Sequence, residues 1–161
     1  MSVGSGNCKD KKFEDGDVDG PINGRDKKFV NQTLETAVPG IISEIVRPDI
    51  MRTLLEIHAQ AEHAKIVLMG YPPPLSDKGS CLSIGPLGLS SDSAGWLNDT
   101  AGTLAAAMQG AADDANIHGA KVWYSNPASD FQGKGVCGDP EQVHGIVKTL
   151  VKSDNPSNDW P

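Results

Sequence analysis

Positive charge is scarce in this chain. Fourteen Lys and Arg stand against 21 Asp and Glu, a formal net charge of -7 with a pI of about 4.9. A nucleic-acid surface needs a basic patch to neutralise phosphates, so this balance argues against nucleic acid as a partner. It disfavours anionic membranes for the same reason. No run of 18 apolar residues occurs, so no transmembrane helix is expected. Met1 to Gly20 is rich in Gly and Asp and has no apolar h-region, so no secretory signal is read in the chain. Cysteine is sparse as well. The three residues Cys8, Cys81 and Cys137 form no Cys-x-x-Cys, and their spacing is far from zinc-ligand patterns. One pair with an orphan, or three reduced thiols, both fit that count. Complete catalytic signatures are missing too: there is no GxSxG, P-loop, HExxH or Asp-x-x-His. No cofactor and no metal site is expected.

What is present suits one α/β domain. A chain of 161 residues can bury roughly 68–70% of its unfolded surface, enough for a single core. Residues 1–26 read as loop, with Asp-Gly and Asn-Gly turn steps. Within them Asp15, Asp17 and Asp19 alternate, and Gly20 stands sixth, as in a calcium loop. The EF-hand places a bidentate Glu twelfth, where Asp26 stands. Pro21 and Ile22 follow and no helical pattern precedes, so the segment reads as a solvated acidic loop.

Residues 27–161 form the α/β portion. Phe29, Thr33, Leu34 and Ala37 share a helical face. Pro39 opens a second short piece carrying Ile41, Ile42 and Ile45, and Pro48 opens a third helix. Ile50, Leu54, Ile57 and Ala61 give that helix an apolar stripe, with His58 and His63 beside it as surface or packing residues. KIVLMG at 65–70 predicts a buried parallel strand, stopped by Tyr71-Pro72-Pro73-Pro74. Ser91 or Asp92 caps a helix to His118 with Leu97, Ala101, Leu104, Met108, Ala111 and Ala115 on one side, and Gly119 ends it. KVWYS at 121–125 predicts a second strand. The order strand, helix, strand is a βαβ unit with parallel neighbours. Glu141 to Val151 predicts a last short helix after Pro140. Two strands do not make a stable sheet, so the sheet is expected to be incomplete.

Three segments carry a resemblance. Ser2-Val3-Gly4-Ser5-Gly6-Asn7 resembles a block around Gly-x-Asn-Asp. KIVLMGYP at 65–72 is similar to a strand ending in Gly-Tyr-Pro. Asp130 to Gly138, DFQGKGVCG, resembles the segment that leads towards a catalytic histidine loop. In that order they resemble the SGNH (GDSL-type) hydrolases, a family of esterases and lipases, of the secreted actinobacterial type. The resemblance implies a flavodoxin-like three-layer α/β/α fold with a parallel sheet, of which this chain is a single partial domain, truncated at both ends.

It also implies a chemistry: carboxylic ester hydrolysis by a Ser nucleophile, a His base oriented by Asp, and an oxyanion hole. Asn7 is the element of that hole carried over here. Cys8 stands where the family has Asp, Ser5 is inserted, and Lys134 stands where relatives often have His. The nucleophile and base are expected outside the chain. Asp114 and His118 are one residue too far apart for the family's motif. His144 lacks an Asp two or three residues before it. Cys81 and Cys137 sit in loops after the two predicted strands, and the resemblance implies a disulfide between them, secretion, and an ester substrate of small-molecule, lipid or polysaccharide type. A non-catalytic α/β binding module is the alternative.

Overall fold

The computed structural model describes residues 8–13, 25–76 and 90–143. Helices and a small parallel sheet make it a mixed α/β structure. A 3-10 turn at Lys27–Phe29 leads into helix α1 (Leu34–Ile41), a π turn (Ile42–Val46) and helix α2 (Arg47–Gln60). Strand β1 (Ile66–Met69), helix α3 (Ser91–Ile117) and strand β2 (Val122–Ser125) follow.

The prolines do not break the run from 34 to 60 into pieces. Pro39 lies inside α1. Pro48 sits in the first turn of α2, one residue from its expected place, but no loop precedes it. The Arg47 N–H reaches back to the Ile42 carbonyl, a five-residue step. That π turn sits just before Pro48, which has no N–H to give, so the backbone continues through it without a break.

Strands β1 and β2 pair in parallel, Ile66 with Val122 through Met69 with Ser125. Both are shorter by a residue or two than KIVLMG and KVWYS predict. Ile66, Leu68 and Val122 pack on Leu54 of α2, on Ala115 near the end of α3 and on Ala120 just after it. This is the centre of the α/β core. Small residues allow the helix to come close: Ala111, Ala112 and Ala115 are fully or almost fully buried. Arg47 on α2 crosses to Asp114 on α3 at 2.7 Å, its guanidinium lying over Gly110. The pair is largely solvated, so it contributes little beside the apolar contact.

Four expectations need correction. The strand at 65–70 is not buried on both faces: Val67, Met69 and Trp123 remain 69%, 68% and 78% exposed on the side away from the helices. The α2 stripe turns off Ile57 and Ala61, which are exposed, and on to Leu55 and His58. The helix leaves the sheet at its last turn, so the inward face follows 50, 54, 55 and 58. On α3, Met108 is buried as expected, but Leu97 and Leu104 are only partly covered. Their half of the helix runs beyond the short strands, where no described sheet lies beneath it. Finally, residues 1–26 are not all loop. Cys8–Asp10 form a 3-10 turn, and Lys12 bridges antiparallel to Thr33. Phe13 then enters a second cluster with Phe29, Ala37 and Ile45. One apolar side chain among Lys and Asp was enough to anchor the segment.

No described helix is long and apolar enough to cross a membrane. The acidic segment 15–24 lies outside the described residues, and so does the helix expected over 141–151 from residue 144 on; its first three residues, Glu141 to Val143, are not helical.

Candidate functional site

Parallel strands bring their carboxyl ends to one edge, and the loops that leave them meet there. Gly70 ends β1. Its N–H donates to the Ser125 carbonyl at 2.8 Å, closing the last rung of the ladder. The loop 71–76 then meets the loop after β2. Val136 donates its N–H to the Pro74 carbonyl, and Ser76 donates to the Val136 carbonyl, both at 3.0 Å. Gly135 sits flat against this seam. A Cβ there would lie 2.5 Å from the Leu75 carbonyl carbon.

Helix α3 begins at the same edge. The Ser90 hydroxyl accepts the Ser93 N–H as an N-cap, one residue before the expected Ser91. Two turns on, Asn98 clamps the β1 loop. Its amide accepts the Leu75 N–H at 3.2 Å and donates to the Leu75 carbonyl at 3.1 Å. The chain after Asn7 also reaches this end of α3. The Cys8 N–H donates to the Ser93 hydroxyl at 3.1 Å, and Lys9 pairs with Asp92 at 2.6 Å.

Between these loops and α3 lies an open cleft of about 380 Å³. Tyr71 and Pro73 form one wall, Ala101 and Ala105 of α3 another, and Tyr124 with Asn126 the third. A neighbouring hollow of about 360 Å³ shares Pro73, Asn98 and Ala128 and continues to Gln132 and Gly133. Tyr71 is 71% exposed, so its ring is free to meet a ligand. Among the described residues, the lining of the larger cleft carries phenols and amides but no carboxylate, imidazole, thiol or amine. These groups can hold a neutral ligand.

Tyr124 explains why β1 ends in glycine. Its hydroxyl is buried and has no hydrogen-bond partner among the described residues. Burial pushes its phenol up from the ordinary tyrosine value. A Cβ on Gly70 would stand 2.5 Å from that hydroxyl. Gly70→Ala should therefore swing Tyr124 away, opening the wall of the cleft and destabilising the protein by about 1–3 kcal/mol. Tyrosine fluorescence and chemical unfolding would register both changes. Unchanged stability would mean that Tyr124 does not rest on Gly70.

The other expected residues divide by edge. Asn7, Cys81 and His144 lie outside the described residues. Cys137 is disulfide-bonded and adopts a left-handed φ of 71° in the loop after β2. Its expected partner, Cys81, is not described, so the pairing stays a proposal. Cys8 is a free, half-buried thiol. Lys134 turns its ammonium to the Asp130 carbonyl at 2.7 Å, which closes its own loop. His58, His63 and His118 belong to the opposite, amino edge, because α2 and α3 end there. His118 Nδ1 lies 2.8 Å from the Asp114 carbonyl, and the Asp114 carboxylate holds Arg47. Neither faces the cleft. Asn98 and Tyr124 went unremarked in the sequence. Asn98 gives no signal on an Ala-rich helix, and Tyr124 reads there as one more strand residue. Comparison with family models, with curated proteins and with solved structures finds no match.

Proposed function

We propose that this chain is part of a serine ester hydrolase of the SGNH (GDSL-type) family, whose nucleophilic Ser and catalytic His lie outside it. One observation carries the reading: two of the segments that bear the resemblance meet. The loop that follows Gly70-Tyr71-Pro72 and the loop 130–138 are joined at the carboxyl edge through Pro74, Ser76 and Val136, and Cys8 is fixed to the start of α3. In a parallel α/β sheet that edge is where ligands bind.

In this reading Asn7 donates to the oxyanion that develops as the carbonyl is attacked. Cys8, the residue that follows it, is fixed to Ser93 at the start of α3. The cleft takes the neutral part of an ester, of small-molecule, lipid or polysaccharide type, between Tyr71 and the small residues of α3. The complete protein is secreted and carries a three-layer α/β/α sheet. A parallel sheet of two strands among the described residues supports the expectation of further strands.

The disulfide belongs to this reading. A Cys81–Cys137 bond would tie the two loops of the site, and closing the segment from 81 to 137 contributes on the order of 4 kcal/mol in the chain-entropy model. Non-reducing peptide mapping should recover the two cysteines in one linked fragment. An alkylatable Cys81 in the native protein would rule the bond out.

A non-catalytic α/β binding module is the second reading. It is favoured by the described cleft lining, in which phenols and amides stand without an acid–base or nucleophilic pair among the described residues. The flanking coding sequence separates the two. The hydrolase requires a Gly-Asp-Ser serine ahead of Met1 and an Asp-x-x-His or Ser-Phe-His-Pro block after Pro161. A reading frame with neither leaves the binding module.

A further inference from the structure

The two hollows at the carboxyl edge adjoin as one groove. The cleft beside Tyr71 measures about 380 Å³ and the hollow that runs on to Gln132 about 360 Å³, with Pro73, Asn98 and Ala128 lining both. Each lies within the roughly 300–1,000 Å³ of small-ligand sites. Together they make an elongated site with room for more than one ring.

The chemistry of the lining decides what fits. Among the described residues no lining side chain is charged, so an ionic ligand would bring a charge without a partner. Amides stand along the groove with bonding capacity left. Asn126 accepts the Ala128 N–H at 3.0 Å through Oδ1, which leaves its own amide N–H groups to donate. Gln109 gives one N–H to Asp113 at 2.8 Å and keeps its carbonyl oxygen as an acceptor. Gln132 adds a third amide at the far end. Tyr71 lies at the mouth, 71% exposed, with Pro73 also in the wall. A neutral sugar matches this lining: it has a face of C–H groups and a rim of hydroxyls that both donate and accept. Amides supply partners for the rim, and the Tyr71 ring supplies a surface for the face. An acyl chain matches it less well. The chain gains by leaving water, and here it would stay partly wet while covering amides without bonding them.

We propose that this groove binds a short neutral oligosaccharide, stacked on Tyr71 and hydrogen-bonded by Gln109, Asn126 and Gln132. As a substrate assignment it rests on the ester hydrolase reading, where it makes the ester an acylated sugar. As a binding site it rests on the groove alone.

Titration calorimetry with saturation-transfer NMR on the whole chain tests it. The probes are cellotriose, xylotriose and maltotriose, with trigalacturonate as the charged comparator and methyl hexanoate as the acyl one. At least one neutral trisaccharide should bind saturably at one site per chain, more tightly than either comparator. Tyr71→Ala should weaken that binding about fivefold to tenfold. Gln132→Ala should weaken it as well. Both side chains are exposed, so neither change opens the core. Trp123→Ala removes an exposed indole from the far face of the sheet and should leave binding unchanged. Failure of all three trisaccharides to bind overturns the proposal. So does binding indifferent to Tyr71→Ala, equal weakening by Trp123→Ala, or tighter binding of methyl hexanoate or trigalacturonate. The hydrolase reading fails on a separate result: a longer protein, expressed with its flanking sequence, that binds the sugar and takes no fluorophosphonate label keeps the groove and loses the reaction.

Discussion

Leu54→Ala should lower the free energy of unfolding by about 2–5 kcal/mol, among the largest losses of any single truncation in the helical core. Leu54 is 3% exposed, and its side chain sits where α2, the end of α3 and both strands meet. Removing its isobutyl group loses the transfer energy and leaves a cavity between three elements that cannot all close on it. Leu104→Ala should cost clearly less. Leu104 lies on the expected α3 stripe, but it is only partly covered, so much of its surface already faces water. Urea unfolding of the two variants would show it, as a large shift in midpoint for Leu54 and a small one for Leu104 at similar slope. Equal shifts would mean that the core extends along α3 towards its N-terminus, contrary to the packing described.

On the ester hydrolase reading, Asn7→Ala in the protein with its flanking sequence should reduce turnover by roughly 100-fold or more, the usual loss of one oxyanion donor. The loss should fall on kcat and on kcat/KM alike. The side chain would bind charge that exists in the transition state and hardly in the bound ester, so KM should change little. The competing role for Asn7 is a turn residue, which would affect stability and leave the chemistry intact. A change in kcat below threefold would remove Asn7 from the site.

Elements were more legible in the sequence than packing. The βαβ unit could be read because its signals are local: β-branched runs ended by Gly or Pro, and a capped helix between them. The parallel orientation followed from the connection. Burial was less legible, because it depends on what else is present. KIVLMG has the composition of a strand buried on both sides, yet Val67 and Met69 face outward in the described structure. The stripe on α3 has helical spacing throughout, but spacing cannot say how far the sheet beneath it extends. Phe13 shows the opposite case. Its surroundings read as loop, and burial of one ring against Phe29 and Ile45 overrode them. The cleft was the least legible part. Asn98 acts through the Leu75 backbone, and Tyr124 through the missing Cβ of Gly70. Contacts of that kind join residues far apart in the chain and leave no periodic trace.

The most direct test of the ester hydrolase reading is labelling by a fluorophosphonate, which reacts only with a serine that a neighbouring base has activated. The protein would be expressed once from its reading frame with the flanking coding sequence, and once as the 161 residues alone. The longer protein should be labelled stoichiometrically on the serine of a Gly-Asp-Ser block ahead of Met1, and the 161-residue chain should take no label. A labelled serine within residues 1–161, or a longer protein that takes no label, would contradict the account.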